Sequence, residues 1–185
     1  MSPAHVTLRK SIISIRQTRC SALTDVNFGD KLETVGYDAF SGCESLQKIK
    51  MPSVRTIGAW AFHGCKQLTD VELPCVETMG AFAFFHCPFL WCVTIPLKDN
   101  IFPLDIGCRR FTQFDKCENL TTVDLVEVEG IRKTISSLLL ERWRDEMNQE
   151  INRINQVLPN TPTNEMTDVI IQWTRSVLRR MEHYK

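Results

Sequence analysis

Gly36-Tyr37-Asp38-Ala39-Phe40-Ser41-Gly42-Cys43-Glu44-Ser45-Leu46-Gln47-Lys48-Ile49 is followed, 22 residues on, by Gly58-Ala59-Trp60-Ala61-Phe62-His63-Gly64-Cys65-Lys66-Gln67-Leu68-Thr69-Asp70-Val71. A further 22 residues on comes Gly80-Ala81-Phe82-Ala83-Phe84-Phe85-His86-Cys87-Pro88-Phe89-Leu90-Trp91-Cys92-Val93. Glycine, the Ala-Phe pair, cysteine, leucine and a β-branched residue hold their places each time. A fixed period of this size marks a solenoid, whose single coil cannot bury its apolar face alone and must stack on neighbours.

Each coil carries two short apolar strips. The first runs Leu23, Val26, Phe28; Leu46, Ile49, Met51; Leu68, Val71, Leu73; Leu90, Val93, Ile95; and Leu120, Val123, Leu125. Its last two members alternate with polar residues, the period of a half-buried strand. Pro52, Pro74 and Pro96 follow and end the strand, since proline has no N–H for a ladder. The second strip is Leu32 and Val35, then Val54 and Ile57, then Val76 and Met79, each ending at a glycine where a tight turn is expected. Phe40, Phe62 and Phe84 then point inward as an aromatic spine.

This pattern resembles the BspA-type leucine-rich repeat, whose unit runs Ile-Gly-x-x-Ala-Phe-x-x-Cys-x-x-Leu-x-x-Ile-x-Leu-Pro. Ile57 to Phe62 with Cys65, Leu68, Val71, Leu73 and Pro74 matches it almost position for position, and the resemblance spans roughly Val6 to Leu125. It weakens before Cys20, where Ile12-Ile13-Ser14-Ile15 lacks the Gly and Ala-Phe, as a worn first coil does. After Ile95 the cysteine spacing grows from 22 to 30 residues. Residues of about 97–113 are read as an insertion, with Lys98–Arg109 forming most of it, and Ile106-Gly107 and either Phe111 or Phe114 resume the pattern without its alanine. The resemblance implies a non-catalytic module that recognises other macromolecules, often at microbial and protist cell surfaces.

From Glu129 the character changes. Ile131, Ile135, Leu138, Leu139, Met147, Ile151, Ile154 and Leu158 recur at spacings of three and four with charges between them, an amphipathic helix. Pro159-Asn160-Thr161-Pro162 interrupts it, with Thr161 or Thr163 available as the next N-cap. Val169, Ile170, Trp173, Val177, Leu178 and Met181 then share one side of a second helix. So short a link predicts an antiparallel hairpin. The expected organisation is therefore a solenoid over 1–128, right-handed and of about five coils, and a helical hairpin over 129–185. That hairpin either caps the open end of the core or pairs with its like in a homodimer through residues 131–185.

The eight cysteines are not spaced for zinc, since no Cys-x2-Cys pair occurs. Cys20, Cys43, Cys65 and Cys87 recur with the repeat and are expected as a column of reduced thiols about 4.8 Å apart. Free thiols and the absence of a signal-peptide pattern near Met1 favour an intracellular compartment. Lysine plus arginine (22) balances aspartate plus glutamate (22), so no global field draws the chain to nucleic acid, and no apolar run is long enough to span a membrane. No cofactor motif is present; glycines occur singly rather than in a phosphate loop. His5, His63, His86 and His183 form no nucleophile or zinc motif, and a thiol stacked in the core beside His63 or His86 would be protonated and inert.

Two outward surfaces are candidates for a protein or peptide partner. On the strand face the polar positions are Asp25 and Asn27, Lys48 and Lys50, Asp70 and Glu72, Cys92 and Thr94, Thr122 and Asp124. A lysine rung lies between two acidic rungs, either pairing across strands or offering a mixed-charge docking face. On the opposite, convex turn Trp60, Phe82 and Phe85 are brought together by the period, either as an apolar docking patch or covered by the insertion or the hairpin.

Overall fold

The computed structural model describes residues 4–7, 12–13, 21–102, 113–126 and 137–181, with side chains over 21–102, 113–126 and 141–180. Ten strands precede two helices: β1 (Ala4–Thr7), β2 (Ile12–Ile13), β3 (Leu23–Asn27), β4 (Thr34–Val35), β5 (Lys48–Lys50), β6 (Thr56–Ile57), β7 (Asp70–Glu72), β8 (Thr78–Met79), β9 (Cys92–Pro96), β10 (Thr122–Val126), α1 (Ser137–Val157) and α2 (Met166–Met181). All pairings are parallel. One sheet runs β5-β7-β9-β10, a second runs β2-β4-β6-β8, and β1 pairs with β3. Registers follow the repeat: Lys48 faces Asp70 and Asp70 faces Cys92, each one period along, while the insertion is absorbed between Cys92 and its partner Thr122. Parallel strands in separate coils, stacked along one axis, make the molecule a repeat solenoid with a helical tail.

The repeated apolar letters all point into one core. Val26, Ile49, Val71, Val93 and Val123 from the first strip are buried, as are Val35, Val54, Ile57, Val76 and Met79 from the second. Phe40, Phe62 and Phe84 stack face to face with centroids 5.2 Å apart at each step, and Phe114 continues the column at 5.8 Å. Phe114 is thus the residue that resumes the spine; Ile106, Gly107 and Phe111 lie outside the described residues. At the alanine position of that coil stands Gln113, buried, whose amide donates to the Met79 carbonyl at 3.3 Å.

The cysteine column has a hydrogen-bonding role as well as a packing one. Cys65, Cys87 and Cys117 donate their thiols to the carbonyls of Phe40, Phe62 and Phe84 in the preceding coil, at 3.3, 3.2 and 3.1 Å. Each fully buried carbonyl of the convex turn therefore gains a weak donor from the next coil. Cys65, Cys75, Cys87, Cys92 and Cys117 are free thiols; Cys20 and Cys108 lie outside the described residues.

The glycines before the Ala-Phe pair act differently from the turn formers expected of them. Gly58 and Gly80 are not in the left-handed region. A Cβ on Gly58 would lie 2.6 Å from the Gly36 carbonyl carbon and from Tyr37 N, and one on Gly80 would lie 2.4 Å from Ala59 N. These glycines are where one coil's backbone touches the next. The left-handed positions come later in each coil: Asp38, Trp60 and Phe82 at φ 56–61°, then Gly42, Gly64, His86 and Lys116 at φ 58–72°. Positive φ in a bulky aromatic is uncommon and costs about 1–2 kcal/mol. It is held here by inter-coil bonds, Asp38 N–H to Ala59 O and Trp60 N–H to Ala81 O, both 3.1 Å.

Helix α1 lies against β10. The Val123 N–H donates to Asn155 Oδ1 at 2.8 Å, so a helix side chain takes a donor on the edge of the sheet. Trp143, Met147, Ile154 and Leu158 are buried on one face of α1, with Ile170, Trp173 and Val177 facing them from α2. Trp143 fills the gap that the expected apolar series leaves between Leu139 and Met147, four residues from each. The expected threonine N-cap of α2 is replaced by other bonds. Thr161 donates to the Val157 carbonyl at 3.0 Å and Thr163 to the Asp115 carboxylate at 3.0 Å. Helix α2 begins only at Met166, three residues beyond Thr163, and the Thr163 hydroxyl donates to a charged acceptor on the last coil, a bond that ties the hairpin to the solenoid. Arg175 adds an ion pair to Asp99 at 2.7 Å. Buried Glu150 accepts from Arg153 at 2.7 Å and from Arg180, and its carbonyl takes the Trp173 indole N–H at 3.1 Å.

Candidate functional site

On the strand face the alternation of β5 and β7 buries Ile49 and Val71 and turns the flanking charges to solvent. Lys48 pairs with Asp70 at 3.3 Å and Lys50 with Glu72 at 2.8 Å, directly across the ladder. The lysine side chains remain 75% and 68% exposed. Such pairs are worth a few tenths of a kcal/mol to about 1 kcal/mol, and the lysines stay reachable. The acidic rung expected on the other side belongs to β3, which forms its ladder with β1 and not with β5. Asp25 and Asn27 are nonetheless exposed along one open groove of about 710 Å³ with Lys48, Lys50, Asp70, Glu72, Cys92 and Thr94. Thr122 and exposed Asp124 continue the face on β10, opposite Cys92 and Thr94. Cys92 has its thiol pushed up by burial first and then by the Asp70 and Asp124 carboxylates, so it is held as a neutral thiol.

On the convex turn the period brings the three rings together. Trp60 stacks on Phe82 at 4.6 Å, and Phe85 meets both edge to face at 5.7 and 5.6 Å. His63 stacks on Phe85 at 5.6 Å and shares a hydrogen bond of 3.2 Å with Ser41. Lys116 sits 5.3 Å above the Phe85 centroid, within cation–π range. All three aromatic side chains are half-buried, largely against one another. Burial, then the neighbouring His86, lowers the His63 pKa from 6.5, against the pull of Asp38.

Three exposed aromatics escaped the expectations above: Tyr37, 61% exposed in a column that otherwise holds Ala59 and Ala81, and a pair just before β9. Phe89 is 59% exposed and Trp91 46%. The matching positions are small or polar in the other coils: Ala22, Ser45, Gln67 and Asn119 for Phe89, and Thr24, Gln47, Thr69 and Thr121 for Trp91. That contrast is written in the sequence. Trp91 is pinned into the ladder by its N–H to Thr69 O, 3.0 Å, and by its carbonyl, which accepts from Thr122 N–H at 3.0 Å. Among the described residues no group of three or more His, Cys, Asp and Glu side chains is arranged to hold a metal ion. Burial pushes the Cys87 and Cys117 thiols well above the ordinary cysteine range, so neither is a poised nucleophile. Nor is any described helix long and apolar enough to cross a membrane.

Comparison with known sequences identifies the repeat. The family profile described as BspA type leucine rich repeat region (6 copies) matches residues 3–106 and 53–138. The chain belongs to the BspA-type leucine-rich repeat family. No curated protein matches it. Among solved structures it is similar to a leucine-rich repeat protein from Bacteroides ovatus, at 24% identity and a TM-score of 0.53, over 64% of this chain and 30% of that one. It is also similar to the T. pallidum leucine-rich repeat protein, at 30% identity and a TM-score of 0.47, over 59% of this chain and 48% of that one. The BspA-type chain thus spans less than half the length of either. Leucine-rich repeat proteins are in general non-catalytic binding modules, and they generally bind other proteins.

Proposed function

We propose that this BspA-type solenoid is a recognition module that takes a protein or peptide partner along its strand face, without catalysis. The observation that carries this is the open groove across β3, β5, β7 and β9, floored by ordered strands and edged with exposed charged side chains. Rigid β ladders present those side chains at fixed spacing, which lowers the entropy lost when a partner docks. The convex rings are the weaker candidate, because Trp60, Phe82 and Phe85 spend much of their surface on each other. In this reading residues 129–185 cap the solenoid. Asn155 on the Val123 N–H and the Thr163 bond to Asp115 both serve to close its last coil.

The test is affinity capture with three baits: the native chain, Asp70→Lys with Glu72→Lys, and Trp60→Ala with Phe82→Ala. Partners kept by the native and convex-face baits but lost by the strand-face bait support the proposal. Partners lost only with Trp60 and Phe82 overturn it.

A further inference from the structure

Resting on the strand-face reading, we infer that the partner segment anchors itself by one aromatic side chain, seated in the pocket between β10 and helix α1. The pocket measures about 240 Å³. Its walls are apolar: Leu97, Leu125 and Val126 from the solenoid, and Trp143, Met147 and Ile151 from α1. Asp124, Arg144 and Asn148 also line it and are exposed, so its mouth is polar. An apolar floor inside a polar rim is the anatomy of an interface hot spot.

Size, lining and the neighbouring sheet edge together name the occupant. The volume falls below the range of about 300–1,000 Å³ that encloses whole small molecules, and it suits a single large side chain. The Trp143 ring and the Met147 thioether both favour an aromatic ring over an aliphatic chain, through ring contacts and through sulfur. β10 is the edge of its sheet, yet the Val123 N–H is taken by Asn155 Oδ1 and the Leu125 N–H by the Asp124 carboxylate, both at 2.8 Å. With those donors spent, a partner gains more at this end from a side chain than from adding a strand.

The pocket is also continuous with the groove. Lys50, Glu72, Thr94 and Asp124 follow one another in register across β5, β7, β9 and β10. The first three line the groove and the fourth lines the pocket. From Lys50 to Asp124 is three strand spacings, about 14 Å, which about four or five extended residues cover. A short segment lying across the ladder therefore meets the groove charges and reaches the pocket at once.

The experiment selects a random peptide display library on the full chain and measures each enriched peptide against variants. Enriched sequences are expected to carry a Trp or Phe whose replacement by Ala weakens binding about tenfold or more. Asn148→Trp, which fills the mouth from an exposed position, should weaken it by a similar factor, while Asn148→Ala should leave it within about twofold. Circular dichroism establishes that each variant is folded. Trp143, whose buried Nε1–H has no hydrogen-bond partner among the described residues, is held by packing and reports what packs against it. Its fluorine NMR signal in fluorotryptophan-labelled protein, assigned by its absence in Trp143→Phe, should shift when a selected peptide is added. Selected peptides that lack an aromatic residue, or that ignore Asn148→Trp, overturn the anchor; if Asp70→Lys with Glu72→Lys still abolishes their binding, the strand face stands. Aromatic peptides lost in Asn148→Trp but kept by Asp70→Lys with Glu72→Lys uphold the anchor and overturn the strand-face reading. An equal shift of the Trp143 signal by free indole at the same concentration makes this a small-molecule site. Loss of a native dimer in Asn148→Trp gives the pocket to a second copy. Either result, or no enrichment over the Asn148→Trp chain, overturns the inference.

Discussion

Substituting Gly58 by alanine should destabilise the solenoid far more than substituting Gly64, although only Gly64 has the positive φ usually taken to demand glycine. At Gly58 a Cβ would meet the Gly36 carbonyl carbon and Tyr37 N at 2.6 Å and the Gly36 oxygen at 2.8 Å, where ordinary contact begins near 3.4 Å. Those atoms are backbone and have no rotamer to yield. Nor can the coils part freely, because the Gly58 N–H is bonded to Val35 O at 2.8 Å and the Gly80 N–H to Ile57 O at 2.8 Å. Overpacking costs about 1–3 kcal/mol where side chains can adjust, and a main-chain clash belongs at or above the top of that range, so Gly58→Ala should cost about 3 kcal/mol. Gly80→Ala, with Ala59 N at 2.4 Å, should cost at least as much.

At Gly64 nothing lies within 4 Å of the new Cβ, and the cost is conformational only. A left-handed alanine loses about 1–2 kcal/mol, of which about 0.4–1 kcal/mol returns through the stiffer unfolded chain, for a net of about 1 kcal/mol. His86 and Lys116 occupy the same column at φ 59° and 58°, so the fold already bears non-glycine residues there. Urea titration followed by far-ultraviolet circular dichroism measures all three variants, with the slope checked for constancy. If Gly64→Ala proves the costlier, or Gly58→Ala unfolds within about 0.5 kcal/mol of the native chain, close approach between coils is not what selects those glycines.

Three further outcomes follow from the same geometry. In the native protein Cys65, Cys87 and Cys117 should resist alkylation at mildly alkaline pH while half-exposed Cys75 reacts, as read by peptide mass spectrometry; equal rates at Cys87 and Cys75 would contradict the buried column. Asn155→Ala should cost about 1 kcal/mol in urea titration by leaving the Val123 N–H without its acceptor, and a neutral substitution would show that this bond does not hold the hairpin down. Because the folded His63 pKa lies below 6.5, its contribution is present above that value and is lost as pH falls through the folded pKa. Native stability should therefore decline relative to His63→Gln between pH 8 and pH 5, and a constant difference would refute the linkage.

Much of this architecture was legible because a solenoid repeats its physics. The constant period fixes the register of β5, β7 and β9 before any coordinates exist, and the Ala-Phe pair fixes the stacked spine. What escaped the sequence was contact between coils. Gly58 looks like a turn former in a linear pattern, because the atoms its Cβ would strike belong to residues one coil back. The pairing of β3 with β1 and not β5 is likewise invisible in the strips, whose spacing across that junction is nearly unchanged. Thr163 reads as an N-cap because neither the late start of α2 at Met166 nor its hydroxyl's acceptor, Asp115, 48 residues away, is written in the local pattern.

The outward faces were legible to a different degree. Comparing columns finds every position where one coil departs from the rest, and the departures differ in kind. Trp60 and Phe82 fill a column whose third described member is Asp38, and the rings answer one another across the coil spacing. Phe89 and Trp91 depart alone, aromatic where the described coils on both sides are polar, and they remain exposed. A departure repaid by a neighbour in the same column is explained by the solenoid's own packing. Exposing about half of an indole with no neighbouring ring in its column gives the solenoid little in return, since its area stays in water. Trp91 is bonded through its N–H to Thr69, next to Asp70 on the strand face of the proposed function, so it is the first residue to vary in mapping a partner.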